Sequence, residues 1–235
     1  MIKQFLACGL ATFFLAAGMA HGGEAEVRKA VASLGLNADE VRKLDALGLY
    51  EVRVGNDLFY SDEKGGYLIH GDIIDVKAKA NLTEARKNKL SQIKFSDLPL
   101  ELAVKTVRGN GKRVFATFED PNCGYCKKLA KDIVTMNDIT MYTFLLPILS
   151  PDSTEKAKAI WCSTDRSKAW NDWMVNNAMP AATTCATPID KVLALAQKYN
   201  IHGTPTIFLA NGERIPGAVP AARLEQDLTR VASTK

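Results

Sequence analysis

The chain has 235 residues, of which 47% are apolar, so one or two domains with a packed core are expected. Its 30 Lys and Arg against 26 Asp and Glu leave a net charge of only +4. The lysines are scattered rather than clustered, which argues against nucleic acid as a partner. Residues 1–20 have the pattern of a secretory signal. Lys3 supplies the positive start, Phe5 to Ala17 the apolar run, and Gly18-Met19-Ala20 a small-x-small cleavage site near Ala20. The run is short for a membrane span. Leu6-Ala7-Cys8-Gly9 has the look of a lipoprotein cysteine, but the apolar run would then follow the cysteine. Cys8 is therefore expected to leave with the leader.

Residues 21–81 read as a small separate domain. Val27, Val31 and Leu34 share one face of a short helix, and Gly35 stops it. Short strands follow at Tyr50 to Val54, Leu58 to Tyr60, Tyr67 to His70 and Ile73 to Val76. So few elements bury little surface, and open strand edges invite a partner, so a dimerisation domain is expected; the alternative is a small module packed on its own catalytic domain. Residues 82–101 read as a linker helix from Leu82 to about Ser96, with Thr83 as N-cap and a thin apolar stripe.

Residues 102–235 alternate strands and helices. Leu102 to Val107 and Arg113 to Phe118 read as strands, followed by a helix ending near Met136. A strand from Ile139 to Leu146 and a helical stretch from Pro151 to Asn177 come next, with Trp161, Trp170 and Trp173 as core candidates. A helix from Pro188 to Tyr199, a strand after Pro205, an Asn211-Gly212 turn, another strand and a final helix complete the chain.

The chemistry centres on Cys123-Gly124-Tyr125-Cys126, between the second of these strands and its helix. Cys123 should sit at the helix N-terminus, where free N–H groups and the helix dipole favour an anion. A thiolate is such an anion, so Cys123 should be nucleophilic at neutral pH. Cys126 lies one turn deeper on the same face and can attack a mixed disulfide formed at Cys123. A C-x-x-C pair is also half a zinc site, but a second close pair of ligands is missing from the sequence. With Cys8 gone, Cys162 and Cys185 remain, enclosing 22 residues. A bridge there would stabilise by about 3 kcal/mol; the alternative is two buried free thiols.

The order of strand, C-x-x-C helix, strand, helices, Gly203-Thr204-Pro205 strand, Asn-Gly strand and final helix resembles the thioredoxin fold. That resemblance implies a cis Pro205 facing the redox pair, with Thr204 and Pro205 lining the substrate groove beside Cys123. Thioredoxins keep an acidic residue six before the first cysteine, as a base for the second. Here that position is Thr117, so that base is missing, and water or another group must take the proton.

Three stretches narrow the family: Phe118-Glu119-Asp120-Pro121-Asn122-Cys123-Gly124-Tyr125-Cys126-Lys127-Lys128-Leu129, Lys158-Ala159-Ile160-Trp161-Cys162, and Gly203-Thr204-Pro205. Together with the order small domain, helix, thioredoxin domain, they resemble the bacterial periplasmic protein-disulfide isomerases of the DsbC/DsbG type. The Gly-Tyr dipeptide resembles the DsbC side. The resemblance implies an α/β chain, α+β overall. Its parts would be a thioredoxin-like catalytic domain with a helical insertion, a small N-terminal dimerisation domain and a linker helix. It also implies a V-shaped homodimer, a Cys162–Cys185 bridge, no cofactor, and a DsbD-like membrane thiol reductase as electron donor. Substrates would be misfolded, disulfide-containing exported proteins, met at Thr204 and Pro205; Gly124 and Tyr125 are read as further groove residues, with Tyr125 as a spacer that tunes the helix start as the alternative. A dithiol oxidase, a non-enzymatic periplasmic chaperone and, more distantly, a metal-binding module are the alternatives. His202, three before Pro205, is read as a solvated loop residue that could also stand near Cys123; His21 and His70 have no partner pattern.

Overall fold

The computed structural model describes residues 22–181 and 183–233. The expected leader, its cleavage near Ala20, Cys8 and His21 lie outside the described residues. The chain divides into two compact units after Ile73.

In the first unit, helix α1 (Gly22–Ser33) precedes strands β1 (Glu40–Leu44), β2 (Leu49–Val54), β3 (Asp57–Ser61) and β4 (Leu68–His70). The four strands form one antiparallel sheet in sequence order. Val27 and Val31 of α1 pack on Val41, Tyr50 and Val52, a small core. Gly35 takes a left-handed φ of 76° just past α1, where a side chain would be strained. Strand β1 was not anticipated, because Glu40-Val41-Arg42-Lys43-Leu44 buries only Val41. Charge pairs across the sheet hold it instead: Arg42 reaches Glu51 at 3.0 Å and Arg53 reaches Glu40 at 3.6 Å.

The second unit opens with a small ribbon of β5 (Ile74–Asp75) and β6 (Ala80–Asn81), then α2 (Leu82–Leu90). The N-cap of α2 is Asn81, not Thr83. Asn81 is extended, and its side-chain oxygen accepts the Glu84 N–H at 2.9 Å, whereas Thr83 is buried. The helix also stops earlier than expected. Beyond it, the Ile93 N–H donates to the Gly212 carbonyl at 3.1 Å, a tertiary bond that replaces a further helical turn.

The main sheet has the order β11-β10-β8-β9-β7. Its strands are β7 (Val104–Arg108), β8 (Arg113–Glu119), β9 (Ile139–Leu145), β10 (Thr206–Leu209) and β11 (Arg214–Pro216). Only β8 and β9 are parallel. Central strand β8 is covered on both faces, so every residue from Phe115 to Glu119 is buried, the polar Thr117 and Glu119 included. Phe115 points toward α3 (Gly124–Asp132) and α7 (Ala221–Ala232), packing with Leu129, Ile133, Leu224 and Leu228. Ala116 and Phe118 pack with Val192, Leu195 and Ala196 of α6 (Ile189–Lys198) on the opposite face.

The helical stretch after Pro151 is two helices, α4 (Pro151–Trp161) and α5 (Arg166–Asn176). Asp165 caps the second by accepting the Lys168 N–H at 2.9 Å, which accounts for the break. Trp161 and Trp170 are buried in the cluster that also holds Cys123 and Cys126; Trp173 is partly buried against it.

Gly212 joins the early segment to the β10–β11 turn. Its φ is +85°, and an added Cβ would stand 1.7 Å from the Ile93 carbonyl oxygen. Gly212→Ala is expected to cost roughly 1–3 kcal/mol in urea unfolding. An unchanged midpoint would mean that this contact is absent in solution.

Candidate active site

Strand register brings the two halves of the site together. β10 runs antiparallel to β8 with Thr206 opposite Phe118, so the chain entering β10 lies beside the end of β8. The C-x-x-C turn leaves from that end, and Gly203-Thr204-Pro205 arrives there. The Thr204–Pro205 peptide is cis. The Cys123 thiol donates to the Thr204 carbonyl at 3.3 Å. Cys123 is also the N-cap of α3: it is extended, and its sulfur accepts the Cys126 N–H at 3.4 Å. A sulfur in a capping position is where the free N–H groups of a first helical turn favour negative charge.

The two cysteines are unequal. Both are free thiols. Cys123 is 5% exposed, at the surface edge beside Gly124 and the 70%-exposed Tyr125, whereas Cys126 is fully buried. Burial pushes the Cys126 thiol far above the usual thiol range, and the Glu119 carboxylate and Cys123 push it further.

Asp120 holds the turn between β8 and Cys123. Its carboxyl is wholly buried, and each oxygen accepts two hydrogen bonds. Oδ1 accepts the Asn122 N–H at 2.7 Å and the Ser153 hydroxyl at 2.8 Å. Oδ2 accepts the Ile148 and Leu149 N–H groups at 2.8 and 2.9 Å. A buried carboxylate is tolerable when its lone pairs are filled in this way. Pro121 and Asn122 are fixed separately. Trp173 donates its indole N–H to the Pro121 carbonyl at 2.6 Å, with Lys127 and Lys156 over its ring at 4.0 and 4.5 Å. Asn122 donates to Ser150 and Asp152 and accepts from Lys156.

The Thr117 position has no carboxylate, yet a carboxyl stands beside Cys126. It belongs to Glu119, the last residue of β8, 2% exposed. Phe115, Thr117 and Glu119 alternate onto one face of β8, the face that α3 covers. Glu119 therefore meets the Cys126 thiol and the Thr117 side chain from two residues further along the strand. Burial raises its pKa to about 7, against the lowering effect of Thr117 and Cys126. Its Oε2 has no hydrogen-bond partner among the described residues. Strand parity is the sequence signal that could have found it.

Cys162 and Cys185 are bonded, with Cα atoms 5.6 Å apart. They tie the end of α4 to the loop before α6, and Cys162 packs against the cluster that holds Cys123 and Cys126. His202 is exposed on the loop before Gly203. His70 stacks on Phe59 at 4.9 Å in the first unit. Among the described residues, no group of three or more His, Cys, Asp or Glu side chains could hold a metal ion. No helix among them is long and apolar enough to cross a membrane.

Comparison with known proteins agrees with this geometry. The thioredoxin-like domain family matches residues 100–232, and the disulfide bond isomerase protein N-terminal domain family matches residues 18–84. A Bordetella pertussis protein named "Probable thiol:disulfide interchange protein DsbC" is 50% identical over 181 residues, 77% of this chain. The match spans 65% of that relative's own length. The thiol:disulfide interchange protein DsbC of Salmonella typhimurium is 31% identical, over 85% of this chain and 84% of its own. That of Escherichia coli K12 is 28% identical, over 97% and 96%. The crystal structure of a disulfide interchange protein from Neisseria gonorrhoeae aligns with a TM-score of 0.55 at 39% identity, covering 57% of this chain and 97% of that one.

The buried Glu119 makes stability depend on pH. A carboxyl with its pKa raised to about 7 when folded, from an ordinary 4.5, binds a proton on folding between those values. The stability it contributes is full below the lower value and is lost as pH rises through the upper one. The shift corresponds to on the order of 3 kcal/mol. Urea unfolding of the reduced protein is expected to show lower stability at pH 8 than at pH 5, and Glu119→Gln is expected to remove most of that difference.

Proposed function

The chain belongs to the thiol:disulfide interchange proteins of the DsbC type, and from that premise we propose that it rearranges and reduces wrong disulfides in exported proteins. The observation that carries the reading is the pair itself: one free thiol, 5% exposed, caps a helix, and the other, fully buried, lies in that helix's first turn.

In the proposed mechanism, the Cys123 thiolate attacks a disulfide of a misfolded protein. The bond between Cys123 and one substrate sulfur forms, and the other substrate sulfur leaves as a thiolate. If a substrate thiol attacks the mixed disulfide, the substrate leaves with a new pairing and Cys123 is restored; that is isomerisation. If Cys126 attacks, the substrate leaves reduced and the Cys123–Cys126 disulfide forms. The same helix N-terminus that favours the Cys123 thiolate makes it a good leaving group. Thr204, Pro205, Gly124 and Tyr125 line the groove where the substrate backbone meets Cys123. The Cys162–Cys185 bridge takes no part in electron transfer and has a structural role.

The same reading includes a homodimer made by residues 21–81, with chaperone-like substrate binding. Supporting it are the small core of the first unit and the edge position of β4, where Ile69, and Tyr67 just before the strand, are exposed. The location is the periplasm, after leader removal near Ala20, and a DsbD-like membrane thiol reductase returns the Cys123–Cys126 pair to the dithiol.

The test is reactivation of a scrambled-disulfide enzyme in glutathione buffer. Wild type is expected to restore activity, Cys123→Ala to fall to the buffer rate, and Cys126→Ala to keep isomerisation while losing reduction. Equal reactivation by wild type and Cys123→Ala would contradict the reading.

A further inference from the structure

We propose that Glu119 is a catalytic residue: its buried carboxylate takes the proton from Cys126 when Cys126 attacks the mixed disulfide at Cys123. The inference rests on the exchange reading above and adds to it the group that activates the second thiol.

The need comes from burial. Cys126 is shut inside a cluster of Val104, Leu145, Ile160 and Trp170, where a bare thiolate is disfavoured. To attack, it must lose a proton to something already inside. Glu119 meets three conditions for that acceptor. It lies against the Cys126 thiol, on the strand face that α3 covers. It is shut off from solvent, so water does not compete for its proton site. Its Oε2 has no partner among the described residues, so a lone pair is free to receive the proton.

The surrounding elements leave it no rival. From α3 it faces Cys126, whose other charged neighbour is Cys123. Leu145 is its register partner on β9, and the backbone carbonyl of Glu119 accepts the Leu146 N–H at 2.8 Å. Across β10, the chain opposite is Pro205 and Thr206, both uncharged. The adjoining Asp120 carboxyl is filled by its four donors. A carboxyl held near pH 7 is matched to accept a proton at neutral pH and to release it afterwards.

The step balances. The Cys126 S–H proton passes to Glu119 Oε2 as the Cys126 sulfur bonds to the Cys123 sulfur. The bond between Cys123 and the substrate sulfur breaks, and the substrate leaves as a thiolate that takes a proton from solvent. Two electrons pass from the cysteine pair to the former substrate disulfide. An external dithiol later returns them, and Glu119 gives its proton back to Cys126. Isomerisation needs only Cys123, so Glu119 acts on the reductive branch alone.

Stopped-flow reaction of the reduced full chain with 5,5′-dithiobis(2-nitrobenzoate) separates the steps. Attack by Cys123 releases one thionitrobenzoate, and attack by Cys126 releases the second. In wild type the second release is expected to accelerate through an inflection near pH 7, where Glu119 ionises. Glu119→Gln is expected to slow the second release by about tenfold or more and to erase that inflection, with the first release changed less than about twofold. Glu119→Asp, which keeps a carboxyl, is expected to retain an inflection. A second release in Glu119→Gln with the wild-type rate and pH profile overturns the proposal. So does equal slowing of both releases, which is the mark of a structural role. Failure of wild type to give a second release would instead overturn the exchange reading itself.

Discussion

The buried Asp120 carboxyl is the constraint on which the site depends. Without its four hydrogen bonds, the segment from Glu119 to Cys123 would be an ordinary turn free to shift. With them, the end of β8, the loop at Ile148 and Leu149, and the first turn of α4 at Ser153 are fastened to one pair of oxygens. The cost of taking this carboxyl from water is offset only when all its donors are in place, so the turn is set as a unit rather than bond by bond. Trp173 of α5, and the bonds from Asn122 to Ser150 and Asp152 at the start of α4, add a second layer. Cys123 is thereby delivered to the helix start in the extended conformation that a cap needs.

From that placement the two sulfurs acquire different chemistry. One, 5% exposed, has a backbone N–H from the helix on one side and the Thr204 carbonyl on the other. The other stands three residues on, inside an apolar cluster, beside a carboxyl that shares its burial. The C-x-x-C spacing sets which sulfur is outer and which inner, and the sheet supplies the environment of each. β8 contributes Glu119 through strand parity, and β10 contributes Thr204 through register.

Much of this was legible in the sequence, for identifiable reasons. The C-x-x-C helix start, the Gly-Thr-Pro strand and the Asn-Gly turn are local patterns with one dominant geometry each, and all three lie where the chain order put them. Glu119 does not stand out in the sequence, because the thioredoxin pattern points to the residue six before Cys123, where Thr117 stands. The structure supplies a carboxyl from the same strand face two positions later. Strand β1 was missed because ion pairs to β2 hold it in place of an apolar alternation. The helix from Leu82 ends at Leu90 rather than near Ser96, because beyond it the chain is held by the Ile93–Gly212 bond, which no local window contains. Asn81 displaced Thr83 as a cap because Thr83 was needed inside. The common thread is that local chemistry reads well, whereas choices settled by a distant backbone or by which face a residue takes do not.

The central claim is that the fold makes the slightly exposed Cys123 the reacting sulfur and keeps the fully buried Cys126 as the inner one. The most direct measurement is a time course of alkylation of the reduced, folded protein with iodoacetamide, with each cysteine followed by peptide mass spectrometry. Cys123 is expected to be labelled well before Cys126, with Cys126 reacting only after denaturation and Cys162 and Cys185 remaining bridged. Labelling of Cys126 as early as Cys123 in the folded protein would contradict the account.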